Sequence, residues 1–324
     1  MAYAGLFLST MLRGLSLGRA ALRAAPLCAV RTVPVRALSV TPMRLRQAPP
    51  EPQMELPPSG ERAEKTFSRF WKKVSVGHVP ASAEAEEHFT VLLDKRALRT
   101  PGGKVLTVPA DRPLLACLIS EEWDTQTQVL KPHSLPLTSL ASRAIDGLAT
   151  EKERAEVVDY LLRYFDTDSI TFYEQQPKAL VELQASRWDP ILDWAREFFQ
   201  IEINAAHGAL SSAQPAASRA RVADVLGALS PLELAVMERA VMTTKSIFTS
   251  FALFYRRIEA EQAALAAEVE TAAQASTWGA VEDSHDVDHA ELRRQLASVA
   301  CAQVTTEPEL VERFVEVLKQ KYSA

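Results

Sequence analysis

The sequence predicts an α+β protein: a small antiparallel β-rich N-terminal domain followed by a larger all-α C-terminal domain. From Phe67 to about Pro109, apolar and polar residues alternate between Gly and Pro punctuation, the period-two signature of short, half-buried strands. Beyond Leu137 apolar residues recur at helical spacing behind repeated capping sequences, which reads as a run of helices. Ahead of both lies a segment of quite different composition.

That segment is residues 1–46, with seven arginines (Arg13, Arg19, Arg23, Arg31, Arg36, Arg44, Arg46) and no Asp, Glu or Lys. Leu8, Leu12, Leu15 and Leu22 fall near helical spacing among the first arginines. Arg-rich, acid-free amphipathic N-termini are the substrates of mitochondrial import. The segment is expected to be a removable presequence, cut near Arg36-Ala37-Leu38-Ser39 or Arg44-Leu45-Arg46. Residues 47–66 hold five prolines among polar residues and read as a linker without order.

The β-rich domain is expected over residues 67–135. Phe70, Val74 and Val76 lead into a turn around Gly77; Phe89, Val91 and Leu93 alternate on one face. Asp94-Lys95-Arg96 interrupts the run and Leu98 resumes it, before a turn at Pro101-Gly102-Gly103 and a strand through Val105-Leu106-Thr107-Val108. Such a sheet has one apolar face that must be covered. A helix over about 110–127, with Leu114, Leu115, Leu118 and Ile119 on one side, is the predicted cover.

The helical domain is expected over residues 136–324. Thr150 with Glu153, Ser230-Pro231-Leu232-Glu233, and Thr306 with Glu309 are predicted capping boxes, and Asp189-Pro190 restarts a helix after Trp188. Residues 204–216 lack periodicity and are expected to form a loop.

Composition excludes several classes. Without the first 46 residues the chain keeps 29 Lys and Arg against 41 Asp and Glu, a net of about −12. That balance argues against nucleic acid or an anionic membrane as main partner. The best apolar run, Ser246 to Tyr255, is flanked by Lys245 and Arg256 and is half the length of about 20 residues that a spanning helix needs. Cys28 leaves with the presequence, and Cys117 and Cys301 have no second Cys or His at metal spacing, so they are expected to be reduced, buried and inert.

Catalytic motifs fail in turn. Gly14-Leu15-Ser16-Leu17-Gly18 matches a nucleophile elbow but lies in the removable segment, without the strand and helix that motif requires. His285-Asp286-Val287-Asp288-His289 puts two His on one helix face; a metal would need a third ligand, and a solvated helix start explains the acids as well. Asp166-Thr167-Asp168 could hold Mg²⁺, but no Gly-rich phosphate loop accompanies it and turn capping is the simpler reading. Glu121, Glu122 and Asp124 around Trp123 are read as a charged helix face rather than an acid/base pair. No cofactor is predicted. A binding protein remains, in which some of Trp71, Trp123, Trp188, Trp194 and Trp278 would be anchors.

Several segments together resemble one family. They are Leu93-Asp94-Lys95-Arg96-Ala97-Leu98-Arg99-Thr100-Pro101, Glu122-Trp123-Asp124, Pro136-Leu137-Thr138-Ser139-Leu140 and Ala144-Ile145-Asp146. Tyr164-Phe165-Asp166-Thr167-Asp168, Leu183-Gln184, the run from Trp188 to Ala195, and Trp278-Gly279 with His285-Asp286 complete the set. The chain resembles the mitochondrial assembly chaperones that hold the α subunit of the ATP synthase catalytic head, the ATP synthase complex assembly factor 2 family. The resemblance implies a non-catalytic matrix protein, monomeric when free, that shields the β-facing surface of unassembled α. It also implies that an acidic residue after the late Trp-Gly matters, for which Glu282 and Asp283 beside Trp278 are the matching positions, with Glu122, Trp123 and Asp124 as further partner-binding candidates. Family members often carry Cys-Tyr where this chain has Thr171-Phe172-Tyr173, so no role for that Cys is carried over. The competing readings are a metal-dependent hydrolase using His285, Asp286 and His289, and a generic matrix holdase.

Overall fold

The computed structural model describes residues 68–83, 86–207 and 213–322; the presequence and linker expectations for residues 1–66 lie outside them. Ala63–Ala324 cluster as one compact unit with a continuous apolar core. A chain beginning near Pro49 keeps every described residue.

The strands are β1 (Val74–Val79), β2 (His88–Leu93), β3 (Arg96–Ala97) and β4 (Thr107–Pro109). Central β2 pairs antiparallel with β1 on one side and with β3 and β4 on the other. Phe89, Val91 and Leu93 are buried, as their alternation requires. Asp94 turns the chain at φ 56, and its carboxylate accepts from Lys72 N–H (3.0 Å) and Lys73 N–H (2.9 Å). Those backbone bonds hold its carboxyl below the usual range.

Gly77 is not a turn. It lies within β1 opposite Thr90, where a Cβ would come within 3.2 Å of Leu92 and 3.3 Å of Thr90 side-chain atoms. The glycine marks close packing within the sheet, and the chain turns only after Val79-Pro80.

The covering helix α1 (Pro113–Asp124) packs on β1 and β2 through Leu115, Ala116, Ile119 and Trp123. Leu114, predicted to face inward, is 39% exposed. With Leu115 and Ile119 at i and i+4 setting the buried stripe, Leu114 falls beside it.

The helices that follow are α2 (Pro136–Gly147), α3 (Glu151–Asp166), α4 (Lys178–Arg187), α5 (Asp189–Phe199), α6 (Ala216–Gly227) and α7 (Pro231–Thr244). They continue with α8 (Ile247–Phe254), α9 (Ala260–Ala267), α10 (Val269–Trp278), α11 (His285–Ala302) and α12 (Pro308–Tyr322). The capping boxes at Thr150/Glu153 and Ser230/Glu233 form as predicted. The last helix starts later than its predicted box: Val311 N–H bonds the Glu307 carbonyl, and Thr306 N–H goes instead to Asp111 O at 2.7 Å. Pro308 at the first helical position fixes that start.

Helix α7 lies at the centre, in contact with α2, α3, α8, α9 and α11. The apolar run that resembled a short membrane segment is α8, packed inside this bundle with Ile247, Phe248 and Phe251 wholly buried. Among the described residues no helix is long and apolar enough to cross a membrane. The stretch expected as loop contributes β6 (Ala206–His207), which pairs parallel with β5 (Phe172–Tyr173); residues 208–212 are outside the described set. Cys117 and Cys301 carry no disulfide and are half-buried rather than buried.

Candidate partner-binding site

The predicted site residues fall in two places. Trp278, Glu282 and Asp283 sit on the turn from α10 to α11, and Glu122, Trp123 and Asp124 sit at the C-terminal end of α1.

Helix α10 stops because Gly279 takes φ 87, a value that L side chains resist. Asp283 then adopts φ 59, a conformation Asp tolerates better than most residues. Two bonds close the turn: His285 N–H donates to Val281 O at 3.1 Å, and Val281 N–H donates to His285 Nδ1 at 3.2 Å. Trp278 is left 79% exposed, with Val281 at 60% and Val287 at 59%. Glu282, Asp283, Asp286 and Asp288 are exposed around them. A large exposed aromatic, with further apolar and charged residues close by in sequence, has the composition of a binding hot spot.

Ion pairs hold α11 against the junction of α9 and α10. Glu268, nearly buried at the α9–α10 junction, pairs with His289 Nδ1 and with Arg293 Nη1 (3.2 Å) of α11. Arg293 also makes two 2.8 Å bonds to Glu261 of α9. Helix α11 is thereby tied to the α9–α10 junction, ten residues or about 15 Å of helix from Trp278.

The same bonds bear on the metal alternative. His289 Nδ1 is committed to Glu268 and His285 Nδ1 to Val281. Among the described residues no group of three or more His, Cys, Asp or Glu could hold a metal ion.

The α1 group is tied into the fold. Glu122, half-buried, accepts from Leu137 N–H (2.7 Å), Thr138 N–H (2.9 Å) and Thr138 Oγ1 (2.7 Å). It caps α2 from another helix, since Leu135 at the cap position supplies no side-chain acceptor. Burial pushes its carboxyl above the ordinary range, against the opposing pull of those bonds and of Arg294. Trp123 is 9% exposed, lies 5.1 Å from the Trp71 ring and donates Nε1–H to Thr138 Oγ1 at 3.0 Å. Asp124 keeps an exposed carboxylate paired with Arg69 at 3.2 Å.

The exposed face of α11 lies between the two places. Asp286, Val287, Ala290, Glu291 and Arg294 line a shallow groove, and the Arg294 guanidinium reaches the His133 carbonyl. Nine residues of helix, about 14 Å, separate His285 from Arg294.

Asp168, weighed as a Mg²⁺ ligand, is wholly buried. Its carboxylate accepts from Ile247 N–H (2.6 Å), Phe248 N–H (3.1 Å) and Ile170 N–H (3.1 Å), joining the start of α8 to the turn after α3. The capping reading accounts for it.

Sequence reasoning missed Val281, Val287 and the Glu268–His289–Arg293 ion pairs. Two valines in a polar turn were the available signal; the ion pairs join residues over 20 positions apart and left none.

The exposed Trp278 is the kind of side chain a partner protein can bury, and comparison with known proteins gives the class, a chaperone. A family model described as ATP12 chaperone protein matches residues 68–196. Protein atp12, mitochondrial, of Schizosaccharomyces pombe is 32% identical over 245 residues, covering 73% of this chain and 82% of the relative. Protein ATP12, mitochondrial, of Saccharomyces cerevisiae is 30% identical over 280 residues, covering 74% and 85%. The crystal structure of Atp12 from Paracoccus denitrificans superposes with a TM-score of 0.61 at 29% identity, covering 73% of this chain and 95% of that one. An Agrobacterium tumefaciens structure gives 0.64 at 31% identity, covering 73% and 85%. The chain belongs to the ATP12 chaperone family, the ATP synthase assembly chaperones.

Proposed function

We propose that the chain binds the unassembled α subunit of ATP synthase in the mitochondrial matrix, as a monomer and without catalysis, shields its β-facing surface and releases it during α/β assembly. The observation that carries this reading is Trp278, 79% exposed at the end of α10, with exposed Val281, Val287 and four exposed carboxylates within the next ten residues. Isolated α would present a large apolar surface, an aggregation hazard. A complementary apolar anchor covers such a patch, and Glu282 and Asp283 orient it against basic residues of α. Asp124 offers a further exposed carboxylate. Glu122 and Trp123 contribute by holding the sheet against the helices.

The test is a pull-down from mitochondrial matrix with the chain from Pro49 onward. Enrichment of α without β, lost with Glu282→Lys, supports the reading. A broad mixture of unfolded proteins would favour a generic holdase instead.

A further inference from the structure

A cleft of about 800 Å³ opens between the edge of β4 and the helices α2 and α7, away from the Trp278 turn. Its floor is apolar and partly built of small residues: Leu115, Ala141, Ala144, Ile145 and Leu232. Glu86, Glu87 and Asp111 stand on its rim, and among the described residues no Lys or Arg lines it. A second cleft of about 560 Å³ shares Glu87, Ala110 and Asp111 and adds Glu312 and Glu316 of α12, with Lys319 among its lining residues. Some of this charge is engaged: His78 Nε2 lies 2.6 Å from Glu87, and Arg112 Nε lies 4.0 Å from Asp111. The Arg112 guanidinium is directed mainly elsewhere, to Ala302 O (2.6 Å) and Glu233 (3.2 Å). The joined groove therefore keeps an acidic rim over an apolar floor.

We propose that this groove docks a basic amphipathic helix of a partner protein. Aliphatic side chains would fill the floor, where the alanines let the helix backbone approach closely, and Lys or Arg on either flank would meet Glu86, Asp111 and Glu316. Apolar burial supplies affinity and the acidic rim selects basic helices. Residues 1–46 of this chain, with spaced leucines, seven arginines and no acid, show the composition such a partner needs. The proposal does not rest on the Trp278 turn or on α as the client.

The probe is a fluorescein-labelled synthetic peptide with the sequence of residues 5–24, titrated by anisotropy with the chain from Pro49 onward. Saturable binding is expected, weakened about tenfold or more by the double variant Glu86→Lys/Asp111→Lys and unchanged by Glu282→Lys. Both substituted side chains are exposed, so matching thermal melts are expected. Hydrogen exchange gives a readout without mutation: bound peptide should slow the amides around Ala144, Ile145 and Leu232. Absence of saturable binding overturns the proposal, as does binding indifferent to the double variant or equally strong for a peptide with its leucines changed to serine.

Discussion

Glu122 offers the clearest separation of scaffold from interface. Helix α2 begins with four backbone positions whose N–H groups lack a partner within the helix. Leu135 N–H bonds Pro132 O at 3.2 Å, and Pro136 has no N–H. The remaining two, Leu137 and Thr138, both donate to the Glu122 carboxylate, as does the Thr138 hydroxyl. Glu122→Ala strands two part-buried N–H groups at about 1–3 kcal/mol each, partly offset by relief of burying a carboxylate. A net loss of about 3 kcal/mol is expected. Glu122→Gln keeps one acceptor oxygen and should lose about 1 kcal/mol. For a domain of this size these losses correspond to about 6–12 °C and about 2–4 °C in Tm. Urea unfolding of the chain from Pro49 measures both, and hydrogen exchange at Leu137 and Thr138 localises the effect. The native Glu122→Ala protein should still bind α with unchanged affinity. Loss of less than 1 kcal/mol together with weakened binding would refute the cap argument and make Glu122 a partner contact.

Three further outcomes follow from the same geometry. Trp278→Ala should leave Tm unchanged while weakening α binding about 30-fold or more, since a Trp can bury 150–250 Å² at about 25 cal/mol/Å² and this one is mostly exposed; equal affinity by calorimetry would remove Trp278 from the site. Trp123→Arg places an unpaired charge against Trp71 and should give insoluble protein, whereas a soluble, folded variant that fails to bind α would move Trp123 to the interface. Asp168 is raised by burial from 3.8 to about 6, so the folded chain holds its proton more tightly than the unfolded one between those values. Its contribution to stability rises as pH falls through 6 towards 4. The stability difference between wild type and Asp168→Asn should shift towards wild type by about 1–2 kcal/mol from pH 7.5 to pH 5, and a flat difference would count against the raised pKa.

Local features of this fold were legible and long-range ones were not. The boxes at Thr150/Glu153 and Ser230/Glu233 are complete within four residues, so sequence alone suffices to place them. The cap of α2 joins residues 15 and 16 apart on two helices, and nothing around Pro136 announces it. Gly77 was misplaced because a glycine that admits neighbouring side chains and one that reverses the chain look alike in sequence. The tryptophans show the same limit at the site. Trp71, Trp123 and Trp188 are buried while Trp278 is exposed; what separates them is tertiary cover, to which helical periodicity gives only a partial guide. Family resemblance directed attention to the turn after Trp278, and the structure added the exposed Val281 and Val287 and the bonds between Val281 and His285 that close the turn.

The closed turn has a consequence for release. A client must be held long enough to prevent aggregation, yet yield to the true subunit. The paired bonds between Val281 and His285 close the turn, and the Glu268–His289–Arg293 pairs hold α11 against the α9–α10 junction, so little ordering should be required when Trp278 docks, and less of the contact energy is spent on it. The exposed carboxylates add steering more than lifetime. With an affinity near micromolar, about −8 kcal/mol, and association at about 10⁵–10⁷ M⁻¹s⁻¹, α would dissociate at about 0.1–10 s⁻¹. At that rate a competing β subunit would capture α as it came free, and handover would need no nucleotide, protease or other trigger. Stopped-flow displacement of labelled α by excess β tests the step directly. A rate within that window and independent of β concentration fits spontaneous release. A complex lasting many minutes would mean that contacts well beyond the Trp278 turn hold the client.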